Sequence, residues 1–261
     1  MESQDIFIVH HGRRADIVLS RPHKRNALTE AMWLAVPALC RELEQARDVL
    51  VVVLRGAGDA AFSGGADIGE FAEVYGSDER RRRYNDAVEA AFDALASLGK
   101  PTIAAIHGPC VGGGCGLALA CDFRLAAEDA AFAITPARLG LAYSFAATKR
   151  LVNAVGPSRA KEMLCAGRHV PAREALAIGL CNAVAPKPRL DEAVTDFASA
   201  LTDVSQYAVR TMKRMVDAVA NGAAQPSAAL RAAWEASFSG EDFQEGYRAF
   251  LDKRKPVFSY R

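Results

Sequence analysis

The chain alternates between short apolar runs and longer stretches in which apolar residues recur every three or four positions. Ile6-Phe7-Ile8-Val9 and Ile17-Val18-Leu19 predict two short strands joined by a turn containing Gly12. A loop follows over residues 21–27. Thr29 is placed to cap a helix running to about Arg47, with Met32, Val36, Leu39 and Leu43 on one face. Val49-Leu50-Val51-Val52-Val53-Leu54 is apolar throughout, the pattern of a strand covered on both faces. Residues 55–63 predict a loop. Residues 77–98 predict a mostly helical segment that includes a basic run at 80–83. Beyond Pro101, Thr102-Ile103-Ala104-Ala105-Ile106 predicts another buried strand, and a glycine turn leads into a helix of small residues over 113–120. Residues 122–126 and 131–134 predict short strands. From Ser144 onward the pattern is mainly helical, with a strand near 180–184 and the last helices over roughly 191–253. Strands alternating with helices, then helices alone, predict an α/β fold with a helical C-terminal part. No linker or low-complexity segment divides the chain. Residues 1–200 read as the core and residues 201–261 as a helical region of the same integrated domain.

Composition narrows the functional classes. A chain of 261 residues, 51% hydrophobic and 24% charged, can hold a stable core without disulfides or metals. A formal net charge of +1 speaks against a broad basic surface for nucleic acid, so any anion binding must be local. The six cysteines, at 40, 110, 115, 121, 165 and 181, show neither C-x-x-C spacing nor a cluster with histidine. They read as buried free thiols of a reducing compartment, and no metal is expected. Residues 1–10 lack the basic and apolar regions of a secretory signal, and the apolar runs are far too short to span a membrane. A cytoplasmic protein is expected.

Two glycine-rich turns carry the candidate chemistry. Ser63-Gly64-Gly65-Ala66-Asp67-Ile68 follows a buried strand and a loop, and Gly112-Gly113-Gly114 opens a helix. Glycine allows close backbone approach and positive φ, and a helix start leaves N–H donors unpaired. Two such donors aimed at one oxygen make an oxyanion hole. Either turn alone is more simply a structural one. The second turn has neither the phosphate-loop pattern nor the full dinucleotide fingerprint.

The two turns belong to a longer series. Pro22-His23-Lys24-Arg25-Asn26-Ala27-Leu28, Ala61-Phe62 with the first turn, and residues 101–122 resemble the enoyl-CoA hydratase/isomerase, or crotonase, family. The resemblance continues through Leu139-Gly140-Leu141, Thr148-Lys149-Arg150-Leu151, residues 175–180 and residues 249–256, in the right order over nearly the whole chain. It implies a spiral of ββα units, a helical C-terminal region used in trimerisation, and a homotrimer or dimer of trimers. It implies an acyl-CoA substrate whose thioester enolate is held by the N–H groups of Ala66 and Gly113, with no metal or redox cofactor beyond the coenzyme A of the substrate. By position, Lys24, Arg25, Ala27, Asp67, Ile68, Trp234, Phe238 and Lys253 fall where relatives contact coenzyme A, some across a subunit boundary. Read without the resemblance, Lys24 and Arg25 form a solvated loop, Trp234 and Phe238 pack helices, and the arginine run is a solvated helix face.

One part of the family pattern is missing. Its hydratases use two glutamates to position water and move protons. Here Gly116 stands at the first position, and Pro136 aligns with the second. Tyr143 remains nearby, in a stretch similar to that of methylmalonyl-CoA decarboxylase, a member with a tyrosine there. That similarity is partial, because the decarboxylase has a histidine in place of Ala66 and a glutamate in place of Gly116. Hydratase, isomerase and decarboxylase chemistry, and acyl-CoA binding without turnover, all stay open; RNA binding, known for some relatives, gains no support from the net charge. Tyr143 reads either as a proton donor or as a wall of the pocket. Cys115 reads as packing, His107 as a partner for backbone groups or the pocket entrance, and Asp122 as a partner for backbone or a basic group. Asp67 is also placed to cap a helix start.

Overall fold

The first two apolar runs form a hairpin in the computed structural model, which describes residues 5–259. Residues 1–4 and 260–261, the ends of the N-terminal and C-terminal readings above, lie outside the described residues. Strands β1 (Ile6–His11) and β2 (Arg14–Leu19) pair antiparallel around Gly12, with Ile6 opposite Leu19. Strands β3 (Val51–Gly56), β4 (Thr102–Ile106), β6 (Phe123–Ala127) and β9 (Ala183–Ala185) then add in parallel, giving the order β1-β2-β3-β4-β6-β9. A smaller sheet holds β5 (Pro109–Val111), β7 (Ala131–Ala133) and β8 (His169–Pro171).

The uninterrupted apolar strands are explained by helices on both faces. Alternate residues point to opposite sides of a sheet. Val52, Leu54, Ala104 and Ile106 join the main core with α1 (Glu30–Gln45), α3 (Asp78–Ala96) and α4 (Gly113–Ala120). Val51, Val53, Ile103 and Ala105 face a second core closed by Leu190, Val194 and Ala198 of α7 (Leu190–Thr202). Thr29 caps α1 as expected, accepting from the Met32 N–H at 3.3 Å. The helix ends at Gln45 rather than Arg47, and Leu39 is only half-buried while Trp33 and Cys40 take core positions. Between the first glycine turn and α3 lies a short helix, α2 (Phe71–Val74), preceded by a 3-10 turn at Ile68–Glu70. Strands β5 and β8 are three residues long, too short for periodicity to mark.

Helices α5 (Phe145–Ala166) and α6 (Ala172–Ala177) lead to α7, and α8 (Gln206–Ala220), α9 (Ala228–Ala236) and α10 (Glu241–Leu251) complete the chain. α5 breaks at Gly156, ahead of Pro157. Apolar side chains on the last helices stand in solvent, among them Met212, Val216, Phe243 and Phe250. Among the described residues no helix is long and apolar enough to cross a membrane. Five cysteines are buried as expected, but Cys165 is exposed, on the outward side of α5. Burial pushes the Cys40 and Cys181 thiols up to about 11, so they stay protonated at neutral pH.

A buried lysine closes the C-terminus of α1. Lys100 is 1% exposed, and its Nζ donates to the carbonyls of Leu43 and Ala46. Among the described residues the Leu43 carbonyl has no other partner, while the Ala46 carbonyl also accepts from Val49 N–H at 3.2 Å. Lys100→Met keeps the apolar stem and removes the donor. We expect a loss of about 1–3 kcal/mol, the cost of leaving the Leu43 carbonyl buried and unpaired. Urea denaturation checks this, and an unchanged midpoint overturns it.

Candidate functional site

The two glycine turns are stitched together by backbone hydrogen bonds. Pro109 O accepts from the N–H groups of Phe62 and Ser63 at 3.1 Å, and Val111 donates to Ser63 O at 2.9 Å. Gly65 makes the approach possible. Its φ is +94°, and a β-carbon there would lie 2.9 Å from Val111 O and 3.4 Å from Gly113 N. On the other side, Leu28 donates to Gly65 O and Asp67 donates to Leu28 O, both at 2.8 Å. Asn26, buried, donates to Ala61 O at 2.8 Å and accepts the Ser63 hydroxyl on its own carbonyl at 2.8 Å.

Within this lattice the N–H groups of Ala66 and Gly113 face each other across the two turns. Gly64 donates to Arg25 O, Gly65 to Ser63 Oγ and Gly112 to Ala133 O. Among the described residues no acceptor takes the N–H of Ala66 or of Gly113, the first residue of α4. The β-carbon position of Gly113 is 3.7 Å from Ala66 N, so the two donors flank one small space. Such a pair can donate to a single oxygen carrying developing negative charge.

That space opens into a cavity of about 330 Å³. Its walls come from the two turns, from α1 through Trp33, from α2 and α3, and from the loop holding Thr135, Pro136 and Tyr143. A β-carbon at Gly116 would lie 2.4 Å from Phe92 Cζ and 2.7 Å from Tyr143 Oη. The room that a side chain at position 116 would need is filled by a ring and a hydroxyl. Tyr143 Oη donates to Gly112 O at 3.3 Å, beside the candidate donors. Burial pushes its phenol well up, with the nearby Cys115 and Cys110 thiols adding to the shift. Tyr143 is therefore a neutral O–H at physiological pH. Glu89 of α3 is the one carboxylate among the described residues lining the cavity, and no lysine, arginine or histidine lines it.

Comparison with known proteins places the chain in a family. The enoyl-CoA hydratase/isomerase family model matches residues 13–261. The chain belongs to the enoyl-CoA hydratase/isomerase family. It is 32% identical to the short-chain-enoyl-CoA hydratase of Clostridium acetobutylicum over 256 residues, covering 98% of this chain and 97% of the relative. It is 33% identical to the crotonyl-CoA hydratase of Syntrophomonas wolfei, covering 99% of each. A solved enoyl-CoA hydratase/isomerase family protein from Hyphomonas neptunium superposes with a TM-score of 0.96 at 40% identity, covering 99% of each chain. The fold is therefore the crotonase-like α/β fold expected above.

The remaining family positions sit as follows. Lys24 and Arg25 are exposed on a 3-10 turn that packs directly on the first glycine turn, with Arg25 at φ 53°. Ala27 O accepts from Arg21 at 2.9 Å. Asp67 caps the turn after it, accepting from Gly69 N at 3.0 Å, and meets Arg21 at 2.9 Å. The Arg21 guanidinium holds the Asp67 carboxyl below its ordinary range. That side chain is thus engaged within the protein, while Ile68 projects, 61% exposed, at the cavity edge. Trp234 and Phe238 pack edge to face at 5.3 Å on and just beyond α9; neither they nor Lys253 line the cavity of their own chain.

Several readings need revision. His107 does not line this cavity; it borders a separate polar cleft with Arg55, Asp59, Lys187 and Asp191. Among the described residues its Nδ1 has no hydrogen-bond partner, and burial pushes its imidazole down. The arginine run is not merely solvated, since Arg80 pairs with Glu30 at 2.8 Å and Glu73 at 3.1 Å, tying α3 to α1 and α2. Asp122 accepts from Thr102 N at 2.8 Å and from Lys213 at 2.7 Å, a structural pairing as expected. Phe92, Glu89, Trp33, Tyr75 and Tyr84 were not legible as site residues, because in sequence they are ordinary positions on helices or beside one.

Proposed function

We propose that this chain binds an acyl-CoA thioester, holds its carbonyl oxygen with the N–H groups of Ala66 and Gly113, and stabilises the enolate without the two-glutamate machinery. The observation that carries this reading is the filled space at Gly116, where Phe92 and the Tyr143 hydroxyl stand in place of a side chain. Tyr143, neutral and hydrogen-bonded beside the donors, is the group suited to deliver a proton to the enolate carbon. The chemistry runs on N–H dipoles and one phenol and calls for no metal or redox cofactor. Lys24 and Arg25 are available to pair with the coenzyme's phosphates, with backbone around Ala27, Asp67 and Ile68 against its adenine and pantetheine. The exposed apolar side chains of α8 and α10 support a trimer or dimer of trimers. Through it Trp234 and Lys253 would meet a nucleotide bound to a neighbouring copy.

A decarboxylase reading is favoured by the same tyrosine. A carboxylate on the acyl α-carbon would meet Tyr143 and no cation. As carbon dioxide leaves, the electron pair of the broken C–C bond passes into the thioester, and the negative charge moves to the enolate oxygen held by the two N–H groups, with no base required. Turnover of crotonyl-CoA and its longer homologues, of methylmalonyl-CoA, and exchange of acyl-CoA α-protons in D2O separate the possibilities. Tyr143→Phe is expected to lower the active assay by about 10²-fold or more with acyl-CoA affinity nearly unchanged. Unchanged turnover removes Tyr143 from the chemistry, and binding without turnover or exchange in the parent protein makes it a coenzyme A-binding protein.

A further inference from the structure

Beyond the two N–H donors six rings line the cavity, Trp33, Phe71, Tyr75, Tyr84, Phe92 and Tyr143, beside aliphatic side chains such as Val88 and Leu141. They are arranged edge to face. Trp33 and Phe92 lie 5.6 Å apart at 86°, Phe71 and Tyr75 4.9 Å apart at 87°, and Tyr75 and Tyr84 6.3 Å apart at 62°. This is the geometry aromatic quadrupoles prefer, and a further ring entering it finds faces and edges already oriented. Trp33, Tyr84 and Phe92 are almost wholly buried, so this part of the wall is fixed by the core. The cavity is roughly twice the ~150 Å³ that holds one benzene. A ring with a short conjugated link to the thioester fits it.

Tyr84 adds a polar requirement. Its oxygen accepts from Trp33 Nε1 at 3.2 Å, which spends an acceptor but not its own proton. Among the described residues that O–H makes no hydrogen bond as a donor, although the residue is 3% exposed. A buried donor without a partner is costly, and Tyr84 lines the cavity. The acceptor must be neutral, because no cation lines the cavity to offset a charge.

We infer that the acyl group is a planar aryl group bearing a neutral oxygen, its ring set among Trp33, Tyr75 and Phe92 and its oxygen accepting from Tyr84. The inference rests on the acyl-CoA reading above. Calorimetric titration of the full-length protein with matched thioesters tests it: 4-hydroxycinnamoyl-CoA, cinnamoyl-CoA and a straight-chain 2-enoyl-CoA of nine carbons. The expected order of affinity is hydroxyaryl, then aryl, then straight chain, with at least about a tenfold span, the equivalent of 1.4 kcal/mol. Tyr84→Phe should lower the ratio of hydroxyaryl to straight-chain affinity several-fold, a comparison within one variant that a general loss of packing does not move. Equal or tighter binding of the straight chain by the parent overturns the inference and leaves the acyl-CoA reading standing. An unchanged ratio in Tyr84→Phe overturns the role of the hydroxyl. Failure of every thioester, and of coenzyme A itself, to bind sinks the underlying reading and the inference with it.

Discussion

Gly113→Ala is expected to lower acyl-CoA turnover by about 10²–10³-fold, the cost of losing one oxyanion donor, while the protein stays folded. The added methyl would stand 2.9 Å from Trp33 Cζ2 and 3.0 Å from Cη2, facing Ala66 N at 3.7 Å. It would occupy the space between the two donors. Trp33 cannot yield easily, since it is fully buried, packs edge to face on Phe92 and donates to Tyr84. The turn must therefore open, which separates Ala66 N from Gly113 N. Overpacking of this kind costs about 1–3 kcal/mol, a tolerable loss for a domain of this size. Steady-state kinetics on whichever thioester is turned over, with circular dichroism as the control, checks the result. Adding Trp33→Phe should return part of the lost rate by making room for the methyl. Turnover within a few-fold of the parent protein would mean that these N–H groups do not hold the reacting oxygen.

Gly116→Glu, the substitution that writes back a family glutamate, is expected to unfold the site rather than create a hydratase. Its β-carbon would overlap Phe92 Cζ at 2.4 Å and Tyr143 Oη at 2.7 Å. The carboxylate would be driven among buried rings with no cation nearby. Overpacking and an uncompensated buried charge together predict a loss of about 4–8 kcal/mol, or a fall in Tm of roughly 8–32 °C. Crotonyl-CoA hydration should stay at background. Phe92→Ala combined with Gly116→Glu should be less destabilised than the sum of the two changes, because the first vacates the space the second needs. Differential scanning calorimetry of the three variants gives the coupling directly. A Gly116→Glu protein as stable as its parent would show that Phe92 and Tyr143 move aside readily, and that the glutamate was lost without being replaced.

Much of the architecture was legible before any coordinates. The runs at 51–54 and 102–106 announced strands covered on both faces, and Thr29, Ser77 and Ser144 stand at helix starts with their side chains accepting from the first turn. Periodicity works where an element is long enough to repeat. It failed for β5, β8 and α2, which are three or four residues long and are held by pairing with distant segments or by packing. The spacing of the cysteines, without a pairing or metal pattern, read all six as buried, although position 165 faces out.

For the site, the sequence by itself determined the two glycine turns, the absence of a carboxylate at 116 and 136, and the family pattern that orders them. These are identities and spacings, fixed once the chain is written. Only the tertiary structure decided that, among the described residues, the N–H groups of Ala66 and Gly113 face one space with no acceptor of their own, since that depends on which neighbours Asn26, Leu28 and Val111 satisfy. Only it decided that Phe92, from a helix 24 residues upstream by numbering (116 less 92), fills the space at Gly116. The reason is common to both. Cavity walls and unpaired groups are set by contacts between segments far apart in the chain, and neither hydrophobic period nor local motif encodes which side chain arrives at a given empty place.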